Sequence, residues 1–234
     1  SDRAFRYIVG GYMVGTDRFI STGNLTDTGA GALPFFRDPL PTQFSFLADR
    51  QDNFAWAVFG NASYDITDQL TVDASLRYDR DRRRNTTLTP PQFIPVVDCG
   101  PIQCDPGTSG EIRRRVFDDW QPKVRLPWEP SDTLSLYGGY SRGFRSGGFN
   151  QTGVGAVATF SRFAGVGDVY EAETADTFEI GGKAQLFDRK LALSASAFTT
   201  KSKNSYFFVF LAANSTQNLA NVPEARLEGF EIDA

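Results

Sequence analysis

Arginine residues are concentrated in two short stretches of this 234-residue sequence. Seven of them lie where two strand-like stretches end and begin: Arg80, Arg82, Arg83, Arg84, Arg113, Arg114 and Arg115. A guanidinium group binds carboxylates and phosphates through paired hydrogen bonds, so antiparallel pairing of the two stretches would place a dense positive rim at one end of a sheet. Four acidic residues lie close enough to neutralise part of this rim: Asp79, Asp81, Asp118 and Asp119.

Two interpretations of this arginine rim stay open. The first is a salt-bridge lattice, in which the nearby aspartates hold the arginines and the rim binds nothing else. The second is an anion-binding site that takes lipid phosphates or an anionic solute. Its candidate residues are Arg82, Arg83, Arg84, Arg113, Arg114 and Arg115.

The two cysteines, Cys99 and Cys104, lie in the segment DCGPIQCD between the two arginine stretches. In an oxidising envelope, a disulfide that closes this small loop is the expected state. A metal site would need further ligands, and the sequence contains no histidine to supply them. A pair of free thiols is the remaining possibility.

The glycine-rich stretch from Gly138 to Gly148 does not fit a nucleotide-binding motif. A phosphate-binding loop ends in Gly-Lys-Ser/Thr, whereas Gly143 is followed by Phe144. The aromatic spacing of an RNA-binding core motif is likewise broken at Arg145 and Ser146. Small residues that let a strand bend into a loop explain the stretch better.

Composition excludes several classes of function. The absence of histidine removes the commonest general base and the commonest transition-metal ligand. A net charge of -4 and a pI near 5.0 argue against a general nucleic-acid binder. No carboxylate pair, serine or cysteine stands in a catalytic setting, so the sequence predicts no enzyme, no catalytic residue, no cofactor and no metal.

The elements that would position these residues are long strands. From Trp120 to Trp128 apolar and polar residues alternate, and after a predicted turn at 129–132 they alternate again from Leu134 to Phe144. Two further hairpins, at 52–80 and 178–210, show the same period. No stretch approaches the roughly 18 uncharged apolar residues of a transmembrane helix, but long alternating strands are typical of a membrane β-barrel.

The connections between strands are sorted by length. Eight strands are predicted in all, the first over 3–16 and the last over 220–234. The short connections fall at 65–69, 129–132 and 187–190. The long ones fall at 17–51, 85–115 and 146–170, and a shorter one at 211–218 lies at the same end. A soluble sandwich with an aromatic core does not explain this sorting, whereas an outer-membrane barrel has short periplasmic turns and long extracellular loops.

The alternation also predicts which side chains face the lumen of such a barrel. These are Asp73, Arg77, Lys123, Arg125, Glu179, Lys183 and Gln185. In the last strand, Ala225 and Leu227 fall on one face whereas Phe230 and Ile232 fall on the other. We therefore expect a β-bulge near Gly229.

Four segments resemble the barrel region of TonB-dependent outer-membrane receptors. They are YDITDQLTVDASLRYD (64–79), WQPKVRLPWEPSDTLSLYGGYSRGFRSGGFN (120–150), YEAETADTFEIGGKAQLFDRKLALSASAF (170–198) and NVPEARLEGFEID (221–233). The resemblance implies an all-β, antiparallel transmembrane barrel segment of about eight meander strands. Residues 1–234 would then be part of a larger receptor barrel, with the plug domain and the remaining strands outside this chain.

The resemblance also implies a function and partners. A TonB-dependent receptor of a Gram-negative cell outer membrane takes up a scarce solute such as an iron-siderophore, cobalamin or a saccharide. Its expected partners are outer-membrane lipid, a solute at the extracellular loops and the TonB energy-coupling complex, which acts through the plug. The alternative is a complete small eight-stranded barrel that acts as a pore, an adhesin or an anchor.

Overall fold

The computed structural model describes residues 5–25, 29, 43–101, 104–163, 165–213 and 215–234. Most of the described residues are in ten strands, with one short helix and one 3-10 turn at Pro91–Phe93. The elements are β1 (Phe5–Leu25), β2 (Gln43–Asp65), β3 (Thr71–Thr87), β4 (Ile112–Ser131), β5 (Leu134–Arg145), β6 (Gly148–Phe149), α1 (Val154–Phe160), β7 (Val169–Tyr170), β8 (Glu173–Leu186), β9 (Leu191–Leu211) and β10 (Thr216–Asp233).

Eight of the strands form one antiparallel meander. Their order in the sheet is β1-β2-β3-β4-β5-β8-β9-β10, so each strand pairs with the next one of the eight along the chain. β6 and β7, which lie between β5 and β8, pair separately. Within the described residues β1 pairs only with β2, and β10 pairs with β9 and forms one isolated bridge, between Ala220 and Val166. The sheet is therefore open, and the closed eight-stranded barrel considered from the sequence is not formed. No helix in the described part of the chain is long and apolar enough to cross a membrane.

The strands are longer than the sequence predicted. β1 continues to Leu25 and β2 begins at Gln43, so much of the predicted loop 17–51 is a paired ladder. Polar residues such as Asp17, Arg18 and Asn24 gave this extension the composition of a loop, but backbone pairing to a neighbouring strand outweighs local propensity. The loop predicted at 85–115 likewise shrinks to the segment between β3 and β4.

We call the two ends of the sheet the turn end and the loop end. At the turn end the connections are short: 66–70, 132–133 and 187–190. The predicted turn at 129–132 begins later than expected, because β4 continues to Ser131 through a register shift after Trp128. At the loop end three connections are long. The fourth, 212–215, is shorter than the predicted 211–218 because β9 and β10 remain paired from Leu211 to Thr216.

One row of opposed residues shows how different the two faces are. Residues directly opposite each other in adjacent antiparallel strands point to the same side of the sheet. One row runs through six strands on what we call the polar face: Asn61, Ser75, Lys123, Ser141, Thr177 and Thr200. The adjacent row, on what we call the apolar face, contains Ala62, Ala74, Val124, Tyr140, Phe178 and Thr199.

The predicted faces of β3, β4 and β8 are confirmed. Arg125 lies opposite Asp73, Glu179 opposite Gly139 and Lys183 opposite Ser135. All seven residues predicted to face the lumen therefore lie on the polar face: Asp73, Arg77, Lys123, Arg125, Glu179, Lys183 and Gln185.

The prediction of a β-bulge near Gly229 is wrong. The register between β9 and β10 is unbroken from Glu224, opposite Lys203, to Asp233, opposite Ser194. Gly229 lies opposite Phe198, and a Cβ on this glycine would be 2.8 Å from Phe198 Cζ. The glycine therefore makes room for an aromatic ring in a regular strand. Leu227 lies on the polar face, which is why the sequence pattern suggested a change of phase.

The small buried apolar core lies at the loop end. The connection between β5 and β8 folds back as β6, α1 and β7 and packs against residues from β2, β9 and β10. The core residues are Leu47, Val154, Ala158, Val166, Leu211 and Ala220. The long loop predicted at 146–170 is thus a structured segment that covers the loop end of the sheet. We call this segment, from β6 to β7, the cap.

Candidate functional site

The strand register brings the predicted arginines together at the loop end. Arg82 lies opposite Val116, Arg83 opposite Arg115 and Arg84 opposite Arg114. Because neighbours along a strand point to opposite sides, the register also divides the group. The apolar face carries Arg80, Arg82, Arg84 and Arg114, and the polar face carries Arg83, Arg113 and Arg115.

On the polar face, carboxylates already hold two of the three arginines. Arg83 forms an ion pair with Asp81 at 2.8 Å. Arg113 binds Glu111 at 2.7 Å, Asp105 at 3.2 Å and Asp168. Burial lowers the pKa of Arg113, but the hydrogen bond to Glu111 and the charge of Asp168 raise it by more, so the net shift is upward. These two arginines therefore match the salt-bridge lattice, whereas Arg115 is exposed and forms no ion pair with any described residue.

On the apolar face the arginines are open. Arg82, Arg84 and Arg114 are exposed and form no ion pair with any residue that the structure describes. Arg80 is half-buried, and its Nε is buried without a hydrogen-bond partner in the same part of the chain. The carboxylate opposite it, Asp118, accepts a hydrogen bond from Tyr78 Oη at 3.0 Å instead.

An aromatic row lies next to these open arginines on the same face. The ring centroids of Trp56 and Tyr78 are 5.6 Å apart, and those of Tyr78 and Trp120 are 4.8 Å apart. A second group, with Tyr64 and Trp128, lies nearer the turn end. Trp56 and Tyr64 are eight residues apart on β2, which corresponds to ~27 Å along the strand and to ~19–22 Å of height at the ~35–45° tilt of barrel strands. Between aromatic girdles the apolar band of a membrane barrel is ~25 Å tall.

A buried polar cluster fixes the cap to the loop end, and sequence reasoning missed it. The Asp49 carboxylate is fully buried and accepts hydrogen bonds from Thr152 N and Thr152 Oγ1, both at 2.9 Å, and from Asn85 Nδ2 at 3.0 Å. Burial raises the pKa of Asp49, and these hydrogen bonds only partly offset it. Nothing in the sequence links Asp49 to Thr152, because they meet only when the cap folds back.

Asp168 fixes the other side of the cap. Its carboxylate accepts hydrogen bonds from Gly153 N at 3.0 Å and Gly155 N at 2.6 Å, and it also pairs with Arg113. Cys99 and Cys104 form a disulfide in the segment between β3 and β4. The Cys99 sulfur lies 3.9 Å from the carbonyl oxygen of Ala156 in α1, so the disulfide loop also reaches the cap.

The polar face has its own cleft, of about 230 Å³, around Gly139. The Arg125 guanidinium lies 4.3 Å from the centroid of the Tyr137 ring. Tyr137 donates a short hydrogen bond to Glu179. Lys123, Ser141 and Thr177 complete the polar lining. The cleft offers cations, a carboxylate and hydroxyl groups, which can bind a polar solute.

The fold and its two faces define one wall of a transmembrane β-barrel, with an apolar side for lipid and a polar side for a lumen. Residues 3–234 match the family of TonB-dependent receptor-like β-barrels. The chain belongs to this family of transport receptors, which are Gram-negative outer-membrane proteins.

Solved structures show the same fold. The ferric yersiniabactin uptake receptor FyuA from Yersinia pestis matches 99% of this chain with a TM-score of 0.67 and 15% identity. The copper transporter OprC matches 99% with a TM-score of 0.64 and 16% identity. The siderophore receptor PiuA from Acinetobacter baumannii matches 97% with a TM-score of 0.60 and 17% identity. The matches cover 30%, 33% and 32% of those chains, so this chain spans about a third of their length.

Proposed function

We propose that this chain is part of an outer-membrane receptor that takes up a scarce solute, using energy supplied through TonB. The observation that carries the proposal is the pair of adjacent rows through Lys123 and Val124, one polar and one apolar across six strands. A sheet of this kind separates lipid from a water-filled lumen. The family supports a receptor rather than a simple pore.

In the full-length protein, residues 1–234 supply part of the barrel wall, and the plug and the remaining strands come from other segments. The TonB complex acts through that plug. The solute first binds at the extracellular loops, which include the loop end with its cap. Outer-membrane lipid covers the apolar face from Tyr64 to the row of Trp56, Tyr78 and Trp120.

The solute belongs to the classes that need active uptake, namely an iron-siderophore, cobalamin, a saccharide or a metal ion. FyuA and PiuA are receptors for siderophores and OprC is a copper transporter. The polar face mixes Lys123 and Arg125 with Glu179, which suits a polar solute that carries charge. This wall contributes weak contacts along a passage, because Arg125 lies against the Tyr137 ring and Glu179 already accepts a hydrogen bond from Tyr137.

Uptake in cells tests the proposal. Cells lacking the gene for the full-length receptor, and the same cells complemented with it, are compared for accumulation of radiolabelled ferric siderophores, cobalamin, copper and oligosaccharides. Each comparison is repeated in cells without functional TonB. We expect one solute class to accumulate only when both receptor and TonB are present. Receptor-dependent entry that is equal with and without TonB would show a passive pore and contradict the proposal.

A further inference from the structure

We propose that the outer part of β4, residues 112–117, is a docking edge for an extended acidic peptide segment, which pairs with it as an added strand. We call residues 112–117 the free edge. The inference goes beyond solute uptake, because it assigns a peptide partner to the loop end. It rests on the proposed position of the apolar face in the outer membrane.

The free edge has a strand on one side only. β4 pairs with β3 along its outer half, starting at Ile112. Its pairing with β5 stops at Lys123, opposite Ser141, although β5 itself continues along β8 to Arg145. Among the described residues no other strand takes the place of β5 there. The ends of the chain do not explain this gap, because β3 and β5 both belong to the described sheet.

The backbone of the free edge offers hydrogen-bonding groups to a partner. In an antiparallel ladder alternate residues direct their N–H and C=O groups to opposite neighbours, so half of these groups point away from β3. Closer to the turn end a side chain closes the gap, because Arg142 of β5 binds Asp119 at 2.8 Å. Beyond that bridge the edge is a template for an extended segment.

The height of the free edge makes it accessible from outside. Phe117 and Ile112 lie three and eight residues beyond Trp120 of the aromatic row, which is ~10 Å and ~26 Å along the strand. At the ~35–45° tilt of barrel strands, the edge spans heights of ~7 to ~20 Å above that row. The polar layer of one leaflet is ~5–8 Å thick. Most of the edge is therefore open to a water-soluble peptide.

The two exposed arginines of the free edge select acidic residues. Arg114 and Arg115 point to opposite faces and form no ion pair with any described residue. The residues opposite them in β3 are also arginines, Arg84 and Arg83. Opposite charges stabilise a cross-strand pair, whereas like charges destabilise it. Glutamates placed opposite Arg114 and Arg115 on an added strand supply the counter-charges that β3 does not.

The other side chains extend this pattern. Ile112 and Val116 lie on the apolar face and are 40% and 46% exposed, so they favour apolar partners. Arg113 already binds three carboxylates and needs no further charge. In antiparallel order from Phe117 to Ile112, the matching peptide is Thr-Val-Glu-Glu-Thr-Val. A second copy of the free edge does not fit, because its own arginines would lie opposite these.

The test uses the purified full-length receptor in nanodiscs, without solute or TonB, and fluorescently labelled peptides as probes. Binding of Thr-Val-Glu-Glu-Thr-Val is compared with binding of Thr-Val-Lys-Lys-Thr-Val by fluorescence polarisation at low and high salt. The variant carries Arg114→Glu and Arg115→Glu. The matched control carries Arg82→Glu and Arg84→Glu, the same change of charge one strand farther from the free edge.

We expect the wild-type receptor to bind the glutamate peptide about tenfold more tightly than the lysine peptide, with a difference that shrinks at high salt. The variant should reverse this preference, which a merely misfolded protein would not do, and the control should keep it. Equal loss of the preference in variant and control would show diffuse attraction to arginines and overturn the proposal. Failure of the wild-type receptor to bind the glutamate peptide would also overturn it.

A second measurement tests backbone pairing with the wild-type receptor alone. Two versions of the glutamate peptide carry N-methyl groups on one or the other set of alternate residues, which removes those N–H donors. Methylation of the set that faces β4 should abolish binding, and methylation of the other set should leave it within roughly twofold. Equal effects of the two sets would contradict strand addition. Since binding is measured without uptake, failure of this inference is distinct from failure of the proposed function.

Discussion

Asp49 at the start of β2 accepts two hydrogen bonds from Thr152, which lies 103 residues later in the chain. The contact joins the cap to the sheet and leaves no exposed surface on the carboxylate. Asp49 lies seven residues beyond Trp56 on the same strand, outside the apolar band. A change at this single side chain should therefore affect the cap without disturbing the membrane-spanning part.

The docking of the cap should depend on pH through Asp49. Burial raises the pKa of this carboxyl above the value in the unfolded chain, so the folded cap binds the proton more tightly. Local stability is then greatest at low pH and falls as the pH rises through the folded-state pKa. The pH dependence of this local stability can be measured from the hydrogen-exchange protection of the Thr152 and Gly153 amides, corrected for intrinsic exchange.

Asp49→Asn should remove most of this pH dependence. The control is Asp98→Asn, a carboxylate between β3 and β4 that accepts a hydrogen bond from the Gly100 amide and forms no ion pair with any described residue, and it should keep the wild-type slope. A wild-type slope in Asp49→Asn would contradict the assignment. Asp49→Ala should cost about 1–3 kcal/mol of local stability, because it leaves the donors of Thr152 and Asn85 buried without partners.

Two neighbouring glycines in β5 should respond differently to alanine. A Cβ at Gly139 would lie 2.9 Å from the backbone carbonyl oxygen of Val124, whereas one at Gly138 would lie 3.7 Å from Ile180 Cγ2, an ordinary contact. Gly139→Ala should therefore destabilise the barrel by about 1–3 kcal/mol, and Gly138→Ala should be neutral. Urea unfolding of the full-length receptor in lipid vesicles measures both. Equal effects would contradict the close approach of β4 to β5 at Gly139.

Arg142 should hold β4 and β5 together where their pairing ends. The last paired residues are Lys123 and Ser141, and the next side chain, Arg142, binds Asp119 of β4 at 2.8 Å and Asp176 of β8 at 3.3 Å. Arg142→Gln should increase amide exchange in the part of β4 that lies on the loop-end side of Lys123. The matched control, Arg145→Gln, removes an ion pair with Glu173 of β8 and a contact with the Tyr206 ring of β9. Neither contact involves β4, so β4 should be unchanged. Equal amide exchange of β4 in the two variants would contradict the role of Arg142 in holding β4 and β5 together.

Leu76 and Arg77 should tolerate substitution differently in lipid. Leu76→Arg places a charge on the apolar face and should cost ~2–4 kcal/mol near the bilayer midplane. Arg77→Leu removes the ion pair with Asp79 on the polar face and should cost less. The folded yield of the two full-length variants in vesicles decides this. Equal losses would indicate a sheet with two water-facing sides.

Much of this fold could be predicted from the sequence, because alternation directly records which face of a strand is apolar. The faces of β3, β4 and β8 follow from residues such as Leu76, Val124 and Ile180. The division of the arginines between the two faces could also be predicted from the sequence, since Arg82 is an even number of residues from Tyr78 and therefore lies on the same face. It was missed because the arginines were considered as one group at a strand end.

The remaining features depend on contacts between distant residues. The extensions of β1 and β2 do not alternate regularly, since Phe19 and Ile20 are adjacent in β1 and Phe46 and Leu47 are adjacent in β2. Only the partner strand shows that they are paired. Gly229 suggested a bulge, but its role depends on the ring of Phe198 in the neighbouring strand. The meeting of Asp49 with Thr152 depends on how the cap folds, and no local pattern records it.

Spin-label accessibility at positions 76 and 77 tests the central claim most directly. Full-length receptors carrying Leu76→Cys or Arg77→Cys are labelled and reconstituted in lipid, and collisions with oxygen and with a water-soluble nickel chelate are measured. The account predicts that the label at 76 collides mainly with oxygen, which concentrates in hydrocarbon, and that the label at 77 collides mainly with the nickel chelate. Equal accessibility at the two positions, or the reverse order, would contradict a barrel wall with lipid on one side and a lumen on the other.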